Sequence, residues 1–99
     1  MSITPNELRR KLSNKEDIVL IDVREPFEHD EFNIGGTLIP IKNLTEHLAN
    51  IDKTKPVILY CQKGIRSVIA IQKLQQKYGF NNLINLSGGM DAWKKEFIS

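Results

Sequence analysis

The run Pro56-Val57-Ile58-Leu59-Tyr60-Cys61, continued by Gln62-Lys63-Gly64-Ile65-Arg66-Ser67, decides how this chain folds. After Pro56 the run is apolar or aromatic without a break. A strand with one face in water alternates between polar and apolar residues. A strand buried on both faces does not, and parallel sheets are covered on both faces. Ile18-Val19-Leu20-Ile21 has the same character and is rich in β-branched residues. Leu83-Ile84-Asn85-Leu86 reads as a third strand, and Leu38-Ile39-Pro40-Ile41 as a shorter one after the Gly35-Gly36 turn. Helical patterns lie between them. Thr4 is placed to cap a first helix, with Pro5 at its first position, Glu7 three residues after the cap, and Leu8 and Leu12 on one face. Leu44, Leu48 and Ile51 mark a short helix. Ser67 to Tyr78 reads as a longer one, with Ile71 and Leu74 inward and Gly79 closing it. Met90, Trp93 and Phe97 space a last helix after Gly88-Gly89. Strands alternating with helices predict an α/β fold on a mainly parallel sheet.

Length and composition bound the function. The 99 residues suit one domain over 1–99, able to bury roughly 65% of the surface of its unfolded chain. With 14 Lys+Arg against 12 Asp+Glu, the net charge of +2 is small and its basic residues are scattered. Nucleic-acid binding is not expected, because it calls for a clustered basic face. The longest apolar stretch is too short to cross a bilayer, and no apolar segment of signal-peptide type follows Met1. The expectation is a cytoplasmic monomer with no membrane contact, since no apolar surface stripe is left once the core is assigned. The single cysteine excludes an internal disulfide and a cysteine-cluster metal site. No metal is expected.

Chemistry concentrates in the loop after the second clear strand. Cys61 sits at the carboxyl end of a central strand, where ligands of such sheets bind. Gly64 relieves backbone strain in the turn, and the next helix is expected to start at about Ser67. Successive N–H groups above a helix N-terminus form an anion cradle, and a thiol within it ionises more readily than a free one. Lys63 and Arg66 add positive charge. The competing reading of Cys61 is a small inert residue ending a strand. The chain carries no GxGxxG, no GxxxxGK[ST] and no notable Ser/His/Asp spacing.

In four segments, taken in order, the chain resembles the rhodanese-like family of sulfurtransferase domains. They are Ile21-Asp22-Val23-Arg24-Glu25-Pro26-Phe27-Glu28, Ile34-Gly35-Gly36-Thr37-Leu38-Ile39-Pro40, Tyr60 to Ser67, and Leu86-Ser87-Gly88-Gly89-Met90-Asp91-Ala92-Trp93. The resemblance implies a central, mainly parallel sheet of about five strands with helices on both faces. It implies that Cys61 accepts a sulfane sulfur as a persulfide and passes it to a nucleophile, with no separate cofactor. The backbone N–H groups of Gln62, Lys63, Gly64, Ile65, Arg66 and Ser67 are then the binding elements, and Lys63 attracts an anionic donor such as thiosulfate. Asn33 stands where the family often has His, and Gln62 where many relatives have Arg. The second difference lowers the positive charge at the mouth and makes thiosulfate a less secure donor.

The remaining polar residues have humbler readings. Arg66 either binds substrate or folds back onto Asp22 or Glu25, and the structural pairing is favoured because a buried carboxylate needs a partner. Asp22 and Arg24 are then site scaffold. His47 reads as solvent-exposed, His29 as part of a charged loop, Trp93 with Phe97 as core, and Phe27 and Phe32 as candidates for the pocket rim. The partners expected are a small sulfur donor and a thiol or cyanide acceptor, with a sulfur-relay protein as a further candidate. Two other functions compete. A related phosphatase or arsenate reductase would place five residues between Cys and Arg, where only Gln62, Lys63, Gly64 and Ile65 intervene here. A non-catalytic binding module would typically lack the cysteine.

Overall fold

The computed structural model describes residues 1–98. In chain order the elements are β1 (Ser2–Ile3), α1 (Pro5–Ser13), β2 (Val19–Asp22), α2 (Pro26–Glu31) and β3 (Thr37–Leu38). A 3₁₀ segment (Ile41–Asn50), β4 (Val57–Tyr60), α3 (Ile65–Tyr78), β5 (Leu83–Leu86) and α4 (Gly89–Phe97) follow. The five strands form one sheet in the order β1-β5-β4-β2-β3, and every pairing is parallel. β4, the most apolar strand, lies at the centre. Register sets Asp22 beside Tyr60 and Leu59 beside Asn85, so β2, β4 and β5 run out at one end of the sheet.

Both faces of β4 are covered, which is why its sequence does not alternate. Val57, Leu59 and Cys61 pack on one side against Ala70, Ile71 and Leu74 of α3 and Leu44 of the 3₁₀ segment. Ile58 and Tyr60 face the other side, with Leu8 of α1, Leu86, and Met90 of α4. α1 starts as its sequence dictates. The Thr4 hydroxyl accepts the Glu7 N–H at 3.2 Å, and the Glu7 carboxylate accepts the Thr4 N–H at 3.0 Å.

The structure departs from the sequence reading in several elements. β1 has only two residues, too few to show a period. α2 replaces the charged loop expected after β2. It buries none of its residues, so it carries no apolar stripe to read. β2 is displaced one residue toward Asp22, and β3 stops at Leu38. Pro40 has no N–H for a ladder, and the chain turns there into the 3₁₀ segment, which kinks at His47 rather than forming a regular helix. α3 begins at Ile65, two residues before the expected Ser67, so Arg66 and Ser67 belong to its first turn. No helix among the described residues is long and apolar enough to cross a membrane.

α4 starts against the loop that follows β4. The Met90 N–H donates to the Cys61 carbonyl at 2.9 Å, and the Asp91 N–H to the Gln62 carbonyl at 3.0 Å. Gly89 makes the approach possible. Its φ is +57°, and a Cβ there would run into the Cys61 carbonyl oxygen. Gly89→Ala is therefore expected to destabilise the fold by ~2–4 kcal/mol, combining left-handed strain with overpacking. Gly79→Ala, with φ +70° but open space around it, should cost only the strain, ~1–2 kcal/mol. Urea denaturation of the two variants checks the ordering. Equal losses would deny the close approach.

Candidate functional site

Cys61 follows directly on β4 and is buried, 1% exposed. Gly64, in the left-handed region at φ +87°, turns the chain into α3. This folds the loop over the sulfur. The Gly64 N–H donates to Cys61 Sγ at 3.1 Å and the Ser67 N–H donates to it at 3.4 Å. Ser67 Oγ lies 3.3 Å from Sγ. The Ser67 hydroxyl is fully buried and donates to Asn85 Oδ1 on β5. Because the Cys61 and Gln62 carbonyls point to α4 and their peptides are trans, the N–H groups of Gln62 and Lys63 point away from α4.

An open pocket of about 400 Å³ lies above the sulfur, lined by Glu28, Cys61, Gln62, Lys63, Ile65 and Arg66. Gly64 and Ser67, also expected in the site, sit beneath it as donors to Sγ. The predicted loop residues are thus gathered at one place. Of the N–H groups expected to bind sulfur, those of Gly64 and Ser67 reach Sγ itself.

Asp22 and Arg24 form a buried pair at the end of β2. Arg24 Nε donates to Asp22 Oδ1 at 3.0 Å and Nη2 to Oδ2 at 2.9 Å, with neither side chain more than 2% exposed. The remaining Arg24 donors reach the Phe32 carbonyl and, at 2.8 Å, Gln62 Oε1. Gln62 in turn donates to Asp91 of α4 at 2.6 Å. His29 brings Nδ1 to 2.9 Å from Asp22 Oδ2. The carboxylate can only accept, so Nδ1 carries the hydrogen.

The expected partner of Arg66 is corrected. It pairs with Glu28, not with Asp22 or Glu25, through two bonds of 2.7 and 2.8 Å. Asp22 is already taken by Arg24 and His29, and the Glu25 carboxylate lies 3.4 Å from Lys42. α2 is what brings Glu28 into range. The Arg66 hydrogen bonds hold the Glu28 carboxyl down at about 2, helped by the Glu25 N–H, and the same pairing raises Arg66 further.

Glu28 was legible in principle. Glu25-Pro26-Phe27-Glu28 repeats the spacing of Thr4-Pro5-Asn6-Glu7, with proline at the first helical position and glutamate at the third. Asn85 also had a signal, as a polar residue within an apolar strand that must find a partner. Phe27, 69% exposed, and Phe32 line a second, smaller cleft of about 200 Å³ with Arg24, Glu28, Gln62 and Lys94. His47 is half-buried, with Nδ1 2.9 Å from the Asn43 carbonyl. Trp93 is partly buried against the core and meets Phe97 edge to face at 4.7 Å. The expectation of no leftover apolar stripe is overturned. Ile65, Val68 and Ile69 stand exposed at a spacing of three and four on α3, which removes the ground on which a monomer was expected. Among the described residues, His, Cys, Asp and Glu nowhere gather in threes to hold a metal ion.

Residues 4–96 match the family model of the rhodanese-like domain. The chain is 41% identical over 98 residues to a Mycobacterium tuberculosis protein named probable adenylyltransferase/sulfurtransferase MoeZ, covering 96% of this chain but 25% of that protein. It is 38% identical over 85 residues to thiosulfate sulfurtransferase GlpE of Coxiella burnetii, covering 85% of this chain and 78% of that one. Its fold overlays the crystal structure of a rhodanese-related protein from Thermoplasma volcanium with a TM-score of 0.86 at 30% identity, over 99% of this chain and 94% of that one.

The Glu28–Arg66 pair predicts a pH signature. Glu28 titrates at about 2 in the fold instead of the usual 4.5, so its stabilisation is complete above the unfolded value and disappears as pH falls toward 2. Glu28→Gln should cost about 1–2 kcal/mol at neutral pH, a modest figure because Arg66 is partly solvated. The Tm gap between wild type and variant should narrow from pH 4.5 downward. A gap independent of pH would mean that the loss does not come from the Glu28 charge.

Proposed function

The chain belongs to the rhodanese-like domain family, and on that footing we propose that it is a sulfurtransferase that carries a sulfane sulfur on Cys61. The observation that carries this reading is the pair of backbone N–H groups, from Gly64 and Ser67, aimed at Cys61 Sγ on the floor of an open pocket. The thiolate is the form that attacks a sulfur donor, and N–H groups aimed at Sγ can hydrogen-bond its charge.

The sulfur transfer has two halves. The Cys61 thiolate attacks the outer sulfur of the donor. The donor's bond to that sulfur breaks, and sulfite leaves if the donor is thiosulfate, or a thiolate if it is a persulfide. Sulfur stays at the same formal oxidation level throughout, so no reductant is consumed. The loaded Cys61–S–S⁻ keeps its charge on the outer sulfur, where the outward amides of Gln62 and Lys63 are available to it. An acceptor thiolate or cyanide then attacks that outer sulfur and releases the Cys61 thiolate, a ping-pong course. Sulfur rides on the protein itself, so the route calls for no metal or organic cofactor.

Since the sequence has one cysteine, the acceptor comes from outside these residues: a small thiol, cyanide, or a cysteine on a relay protein. A reducing compartment such as the cytoplasm suits a free working thiol. Asp22 and Arg24 act as scaffold, fixing Gln62 at the mouth. The short turn favours this reading over phosphate-ester cleavage. Only Gln62, Lys63 and Gly64 lie between Cys61 and the start of α3, and the Gly64 and Ser67 N–H groups converge on one sulfur atom.

Incubation with thiosulfate or an organic persulfide should add one sulfur atom to the intact mass. The gain should reverse with dithiothreitol and be absent in Cys61→Ser, whose melting temperature should stay near that of the wild type. Sulfur gained equally by Cys61→Ser would remove Cys61 from the mechanism. No gain from either donor would leave the non-catalytic module as the better account.

A further inference from the structure

We infer that Glu28 sets the donor class, making the pocket a receiver for sulfur carried on an organic persulfide of low charge and disfavouring dianionic thiosulfate. The inference rests on Cys61 being the sulfur acceptor. Three charged side chains line the pocket: Glu28, Lys63 and Arg66. Both arms of Arg66 are committed to the Glu28 carboxylate at 2.7 and 2.8 Å. That carboxylate stays ionised down to about pH 2. Arg24, the next cation inward, is buried and spent on Asp22. Lys63 is left as the pocket-lining cation with no carboxylate partner among the described residues. The lining therefore offers a net single positive charge, and the attacking thiolate cancels it.

Thiosulfate would bring two more negative charges to a wall that already carries Glu28. A protonated persulfide brings none. The Cys61 thiolate attacks the outer sulfur of R–S–SH, the S–S bond breaks, R–S⁻ leaves, and the Cys61–S–SH formed passes its proton to R–S⁻, giving Cys61–S–S⁻ and R–SH. Charge is conserved at one negative throughout. The organic group R has an apolar place to lie. Ile65 is part of the pocket wall and 65% exposed, and Val68 and Ile69 extend its surface along α3.

The test compares second-order loading rates for thiosulfate and for the persulfide of 2-mercaptoethanol, read by intact mass on the whole chain. Glu28→Gln keeps the side-chain shape, removes the charge and frees Arg66. The ratio of thiosulfate to persulfide rates should rise about tenfold in the variant, the low end of what an uncompensated charge does to capture of an ion. Wild type should prefer the persulfide. A ratio unchanged by Glu28→Gln, or a wild type that loads faster from thiosulfate, would overturn the inference while leaving Cys61 as acceptor. Loading of Cys61 by neither donor would overturn both.

If the variant does not fold, the wild type still decides. Its thiosulfate rate should change less than about twofold between low salt and about 0.15 M, because no net attraction is there to screen. A steep fall with salt would reveal an uncompensated cationic pocket and defeat the proposal.

Discussion

The site depends on how the chain reverses after β4. Within Gln62, Lys63 and Gly64 it must leave a central strand and enter α3, and its carbonyl groups must go somewhere. Those of Cys61 and Gln62 are taken by the first N–H groups of α4. With the carbonyls so occupied, the loop has its amides free. A left-handed Gly64 then aims one of them at Sγ, and α3 supplies another from Ser67. Two helix N-termini thus meet over one loop: α4 accounts for its oxygens and α3 for its sulfur. A helix N-terminus has N–H groups with no partner of their own, so the arrangement satisfies groups that would otherwise need water.

Charge pairing does the rest of the positioning. α2 buries no residue, so the hydrophobic effect does not hold it down. It is fixed instead by Glu28 on Arg66, His29 on Asp22, and the carbonyl of Phe32 just past its end, which accepts from Arg24. Removing Asp22 from water is tolerable because Arg24 meets it with three bonds, one from its backbone N–H, and His29 with a fourth. The same network reaches Gln62 and then Asp91, tying the mouth of the pocket to β2 and α4 at once. Of the positive charge that the sequence displays near the cysteine, that of Arg66 is therefore spent on Glu28, and Lys63 is left at the pocket.

Much of the fold was legible in the residues. The apolar run that leads into β2, the unbroken run of β4, the mostly apolar β5, the Thr4 cap and the glycines around α3 and α4 are signals of local physics: two-faced burial, unpaired helix ends, left-handed backbone. Cys61 at the end of β4, before a tight turn into a helix, was visible for the same reason. The elements that escaped lack an apolar period. β1 is two residues long, and α2 has no apolar face. The start of α3 moved two residues earlier because Gly64, not Ser67, ends the turn.

By itself the sequence determined the central strands, the parallel α/β class, the cysteine loop and its likeness to sulfur-transfer domains. Each of these follows from residue type and spacing along a few neighbours. Only the tertiary structure decided where the charges end. Arg66 meets Glu28 across 38 positions, Ser67 meets Asn85 across 18, and the Cys61 carbonyl meets the start of α4. Such partners are chosen by which groups the packed sheet and helices bring within about 3 Å of one another, at hydrogen-bonding distance. Asp22, Glu25 and Glu28 are all acidic and all lie within seven residues at the end of β2 and just after it, far from Arg66 in sequence, and nothing in their spacing says which of them Arg66 will touch.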